Sequence, residues 1–148
     1  MEHHLTVSRT ASYQQLGTLS ARTRRVWFVC HGYGQLAAYF VRHFAFLAEA
    51  DPTTVVIAPE GLSRFYLTGN GGRVGASWMT RDDRLHEIAD HINFLNQLSA
   101  KCWPIVQPMF RSRCSVFRRV PPQYAAGWPR RLFGRRSSSY GPAASPKT

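Results

Sequence analysis

Acidic residues are missing from the last third of this 148-residue chain. Residues 101–148 hold eight Arg and two Lys with no Asp or Glu, whereas residues 1–100 hold nine Arg against eight acids. The formal charge of +11 is therefore a property of the tail, and it does not mark the body as a nucleic-acid or membrane-surface binder. Cysteine is scarce too: Cys30, Cys102 and Cys114 are odd in number and irregular in spacing. That excludes a disulfide framework and a zinc-ligand spacing, and fits reduced thiols in a cytoplasmic protein. No apolar run approaches the roughly 20 residues of a membrane span, so no membrane partner is expected. Met1-Glu2-His3-His4 lacks the basic-then-apolar pattern of a signal peptide, which again points to the cytoplasm. No internal repeat is visible. His86, Asp90 and His91 do not have the four-residue pairing of a zinc helix, and neither a metal nor another cofactor is expected.

What the chain does have is one strongly patterned body over residues 1–100. Its centre is Arg25-Val26-Trp27-Phe28-Val29-Cys30-His31-Gly32-Tyr33-Gly34, a short apolar run that breaks into His-Gly-x-Gly. Such a run bounded by glycines reads as a strand buried on both faces. Leu36, Phe40, Val41, Phe44, Leu47 and Ala48 then place an apolar stripe on a helix over 35–50, which Asp51-Pro52 ends. Thr54-Val55-Val56-Ile57-Ala58 is a second buried strand, β-branched and uncharged. Strand, helix and strand at these spacings form a βαβ unit with parallel strands. Upstream, Leu5-Thr6-Val7-Ser8 alternates as an edge strand does and is expected to continue past Tyr13.

Residues 59–77 read as a long glycine-rich loop, and its aromatics Phe65 and Tyr66, with Trp78 beyond it, favour function. A helix over 80–99 follows. Thr80 is placed to cap it, Asp82 and Asp83 to sit in its first turn, and Leu85, Ile88, Ala89, Ile92, Leu95 and Leu98 to form its apolar face. After Ala100 neither period is visible. Residues 101–148 mix Trp103 and Trp128 with prolines from Pro104 to Pro146 and three arginine pairs, and are expected to be an irregular, poorly ordered basic tail.

Residues 5–100 resemble the α/β-hydrolase superfamily, in particular its small carboxylesterase/phospholipase-type serine esterases. The resemblance rests on His31-Gly32-Tyr33-Gly34 after a buried strand, on Ala58-Pro59-Glu60-Gly61, and on Gly75-Ala76-Ser77-Trp78. It implies a sheet of parallel strands with flanking helices, of which this chain holds the N-terminal half. It implies that Tyr33 offers a backbone N–H to the oxyanion of the tetrahedral intermediate, with Gly32 shaping the turn. It also makes Trp78 a wall of the substrate pocket and a small ester the substrate. His-Gly-x-Gly is equally readable as a structural turn. His31 is expected to pack or hydrogen-bond near the loop, not to act as the base, which in this family follows the nucleophile. His43, His86 and His91 are expected to be solvated or capping.

A serine esterase needs a Gly-x-Ser-x-Gly elbow on the next strand, and this chain contains none. The genetic code suggests why. Cys114-Ser115-Val116-Phe117-Arg118-Arg119-Val120-Pro121-Pro122-Gln123, read one nucleotide earlier, permits Val-Leu-Gly-Phe-Ser-Gln-Gly-Ala-Ala-Thr, a strand running into an elbow. In the same shifted frame Ser138-Ser139-Tyr140-Gly141-Pro142-Ala143-Ala144 permits Leu-Ile-Leu-Trp-Ala-Gly-Gly. The expectation is a reading-frame change near Lys101, hence an esterase truncated before its nucleophile, with no catalytic residue and no activity as written. Two other readings stand beside it. One is a binding module whose basic tail grips nucleic acid, against which no fold or periodicity organises those charges. The other is a half-domain that self-associates through its unfinished sheet.

Overall fold

The computed structural model describes residues 1–102 and the backbone of 114–118. Strands and helices alternate in an α/β arrangement with a mixed sheet. The elements in chain order are β1 (Tyr13–Leu16), β2 (Arg25–Cys30), α1 (Ala37–Phe40), a 3-10 turn (Val41–Phe44), α2 (Ala45–Ala50), β3 (Thr54–Pro59), β4 (Ser63–Tyr66), β5 (Val74–Ser77), α3 (Arg84–Cys102) and β6 (Cys114–Arg118). Among these residues no helix is long and apolar enough to cross a membrane.

The main sheet runs β1-β3-β2-β6. The expected parallel pair is present: β2 and β3 align Val26 with Val55 and Phe28 with Ile57. Every residue of β3 is buried, as its unbroken β-branched run requires of a strand covered on both faces. One face carries Val26, Phe28, Val55 and Ile57 under Leu98 and Cys102 of α3; the other carries Val29, Val56 and Ala58 under Ala37, Phe40 and Val41.

Several expectations are corrected. The N-terminal strand is confined to β1, and it is antiparallel to β3, so the sheet is not wholly parallel. Leu5 and Val7 stay exposed, because local alternation specifies a strand only where an edge is available to pair with it. The helix over 35–50 is three short pieces. Val41, Phe44 and Leu47 recur every third residue, the period of a 3-10 turn, and that tightening keeps all three against the sheet. The loop over 59–77 contains the β4–β5 hairpin, which pairs Ser63 with Ser77 and Tyr66 with Val74.

The second long helix starts at Arg84, so Asp82 and Asp83 precede it and Glu87 is the acid in its first turn. Glu87 reaches back to Thr80, accepting from its N–H and, at 2.9 Å, from its hydroxyl, so Thr80 is held by the helix and does not cap it. Leu85 is exposed; the buried stripe is His91, Leu95, Leu98, Ser99 and Cys102. Beyond α3, the described segment β6 pairs parallel with β2 from Val26–Cys114 to Cys30–Arg118. A central strand with one bare edge leaves main-chain N–H and C=O groups unpaired, and any extended segment that reaches it gains those bonds. Among the described residues the edges of the sheet are β1 and β6, and β2 is interior. Trp103, Trp128 and the remaining expectations for the tail lie outside the described residues.

Candidate active-site turn

The chain leaves β2 at its C-terminal end, where open α/β sheets place their ligands, and enters the turn His31-Gly32-Tyr33-Gly34. Gly34, not Gly32, takes the left-handed backbone, with φ of 73°. The turn is sewn to β5 by Gly34 N–H to Ala76 C=O at 3.0 Å and Ala76 N–H to Gln35 C=O at 3.2 Å. Gly75 lies so close to Gly34 that a Cβ there would stand 2.5 Å from the Gly34 carbonyl oxygen. This explains the glycine of Gly75-Ala76-Ser77 as a packing requirement.

The two main-chain donors of the turn differ. The Gly32 N–H is taken by the Gln35 side chain, Oε1 at 2.8 Å. The Tyr33 N–H meets no acceptor among the described residues. The Tyr33 ring is exposed and leans on Phe65 of β4, centroids 5.1 Å apart. The Gly32 N–H is thus engaged by Gln35, and the Tyr33 N–H has no partner among the described residues.

Beneath the turn lies a buried polar layer. His31 is fully buried; its Nε2 accepts from the Gly61 N–H at 2.9 Å, which places the ring proton on Nδ1, donated to the Gly32 carbonyl at 2.8 Å. With both ring nitrogens engaged, His31 supports the loop and is not poised as a base, as the sequence suggests. His91 repeats the arrangement: Nε2 accepts from the Leu62 N–H at 3.0 Å and Nδ1–H meets the Glu87 carbonyl at 2.7 Å. His91 is buried, which corrects its expected solvated role. Burial away from water pushes both imidazoles below the ordinary histidine value, so both are neutral near pH 7.

Trp78 stands between them, its ring 4.9 Å from that of His31 and 5.2 Å from that of His91. Its indole N–H donates to the His31 carbonyl at 2.8 Å. Structure thus ties Trp78 to His31, the residue that opens the turn. It is 7% exposed and acts there as a pillar of the turn.

Two residues to which the sequence reading assigns no role complete the site. Glu60 is buried straight after β3; its Oε2 accepts from the Ala37 N–H at 2.7 Å and so caps the start of α1, while Oε1 lies 3.6 Å from Arg64 Nε. Gln35 fixes the Gly32 N–H. A charged residue directly after an uncharged buried strand was the visible signal for Glu60; nothing in local pattern marks Gln35. Cys30 and Cys102 are buried, and neither is in a disulfide among the described residues. No protein-family model matches the chain, and no curated protein matches it.

Proposed function

We propose that this chain carries the oxyanion-binding half of a serine carboxylesterase of the α/β-hydrolase type and, as written, turns over no ester. The observation that carries the reading is the Tyr33 N–H, without an acceptor among the described residues, at the end of a central parallel strand in a turn held by Gln35, Trp78 and the bonds to β5. In acyl transfer such a donor stabilises the charge that develops on the carbonyl oxygen. The N–H of the residue after the nucleophile supplies the second donor. Two donors that serve one oxygen must come from neighbouring strand ends, since adjacent strands lie about 4.8 Å apart.

The register of β6 supports the frame-change reading. It pairs Arg118 with Cys30. In the shifted frame the elbow serine falls at the position of Arg118, beside the end of β2 and its turn. A nucleophile there could attack a carbonyl whose oxygen rests on the Tyr33 N–H, with a histidine taking its proton. As written, that position is an arginine and the chain has no Gly-x-Ser-x-Gly. A small ester is the proposed substrate class of the intact enzyme. No observation among the described residues favours the nucleic-acid reading.

The test compares two chains on short activated esters. The chain as written should show no turnover above background. The chain with its frame restored near Lys101 should hydrolyse them, and a serine-directed phosphonate should abolish the activity. A stop codon soon after Lys101 in the shifted frame, or turnover that survives replacement of the elbow serine by alanine, would sink the proposal.

A further inference from the structure

On the surface away from the turn, the N-terminal segment crosses the start of α3. There His4 stacks on His86, ring centroids 4.1 Å apart and planes 28° from parallel. His86 Nδ1 lies 2.6 Å from Asp83 Oδ1, and Glu2 Oε1 lies 3.8 Å from His4 Nε2. One ligand atom from each of His4, Asp83 and His86 falls within a sphere where all lie within 4.8 Å of one another. We propose that His4, Asp83 and His86 form a binding site for a divalent transition-metal ion of the zinc class, with Glu2 or water completing its coordination.

The donor set selects the ion. Two imidazole nitrogens and one carboxylate oxygen suit zinc and its first-row neighbours, whereas calcium and magnesium ask for oxygens throughout. Distances are close to what is needed. Around an ion with bonds of about 2.1 Å, tetrahedral donors stand about 3.4 Å apart and no two can exceed about 4.2 Å. Closing from 4.8 Å takes only side-chain rotation, and all three residues are exposed, so no packing resists it. Asp83, the residue before α3, and His86, in the first turn of that helix, are three apart and their side chains already meet, Nδ1 to Oδ1 at 2.6 Å. An Asp–His hydrogen bond at a helix start explains that pair alone. It does not explain why His4 and Glu2 arrive beside it from a separate segment; a shared cation does.

The ion would have a structural consequence. Thr6, Val7, Ser8 and Arg9 form one wall of a cavity of about 630 Å³, and His91, Phe94 and Leu98 of α3 are among the residues opposite. Binding at His4, Asp83 and His86 would pin the start of that wall to α3.

Titration of the metal-free full chain with Zn²⁺ by calorimetry, and with Co²⁺ by visible absorption, tests the proposal. One equivalent should bind. His4→Ala and His86→Ala should each weaken binding at least about a hundredfold, since even partners one step removed from an ion are worth about ten- to a hundredfold. His43→Ala, on another exposed surface, should not change it. Zn²⁺ should also slow proteolytic removal of residues 1–12, and His4→Ala should abolish that protection. Binding that survives His4→Ala and His86→Ala together, or that is lost only on His3→Ala or on replacing the cysteines, overturns the site. Equal protection in the His4 variant does the same.

Discussion

Trp78 donates its indole N–H to the main-chain carbonyl of His31 across 2.8 Å, joining the end of the hairpin to the end of the central strand. The bond is buried, so its loss leaves a carbonyl without water to replace it. Trp78→Phe keeps most of the ring contact with His31 and His91 and removes the donor. It should cost about 1–3 kcal/mol in chemical denaturation. An unchanged midpoint would mean that the bond does not hold the turn.

The glycines of the loop divide into those that space requires and those that it does not. A Cβ on Gly75 would meet the Gly34 backbone at 2.5 Å, and one on Gly61 would meet the Ser77 carbonyl oxygen at 2.5 Å. Backbone cannot swing aside as a side chain can, so Gly75→Ala and Gly61→Ala should each destabilise by about 1–3 kcal/mol. Gly71 has nothing within 4 Å, and Gly71→Ala should be within about 0.5 kcal/mol of neutral. Thermal or denaturant melts of the three variants check the ranking.

Stability should fall on mild acidification. His31 and His91 have folded pKa values below the ordinary 6.5 because burial disfavours the charged ring. Above pH 6.5 both folded and unfolded chains hold them neutral, and the contribution is fully present. As pH falls from there towards the lowered folded values, the unfolded chain takes up protons that the folded chain refuses. Each histidine then costs about 1.4 kcal/mol per pH unit. The half-buried carboxyl of Asp51, lowered from 3.8 chiefly by its bond from the Thr53 hydroxyl, acts only at still lower pH. Denaturation midpoints between pH 7 and pH 5 should therefore decline, and His91→Asn should flatten the decline.

In the frame-restored chain, Tyr33→Ala and Tyr33→Pro should part company. Alanine keeps the proposed donor and should change kcat little. Proline deletes the N–H and should lower kcat by about a hundred- to a thousandfold, the usual cost of one oxyanion donor. Matching circular dichroism spectra would show that the loss is local. Equal rates for the two variants would remove Tyr33 from the oxyanion hole.

Long-run patterns were legible in the sequence, and single long-range bonds were not. The β2–β3 pair was readable because uninterrupted apolar runs need two covered faces. Most of α3 was readable because Ile92, Leu95 and Leu98 repeat at helical spacing, but its start was misplaced by Thr80, which Glu87 holds from inside the helix. The β4–β5 hairpin hid behind the glycines that make it possible, for Gly75 signals a loop locally and a close backbone approach in three dimensions. At the turn, residue identities marked the place. The division of labour between Gly32, whose N–H is used, and Tyr33, whose N–H is not, depends on where the Gln35 side chain lies. Pairing of β6 was invisible because its claim on the sheet comes from the vacancy beside β2, not from its own pattern.

The β6 pairing also sets an order of events during synthesis. β1, β2 and β3 are encoded within the first 59 residues and can pair as soon as they leave the ribosome. Val26 then waits beside a bare edge until Cys114 is made. Contacts so distant in sequence form late and slowly. Between the emergence of β3 and that of β6 the nascent chain presents one edge of β2 unpaired, and this is the interval in which a chaperone, or a neighbouring chain on the same polysome, competes with β6 for the place.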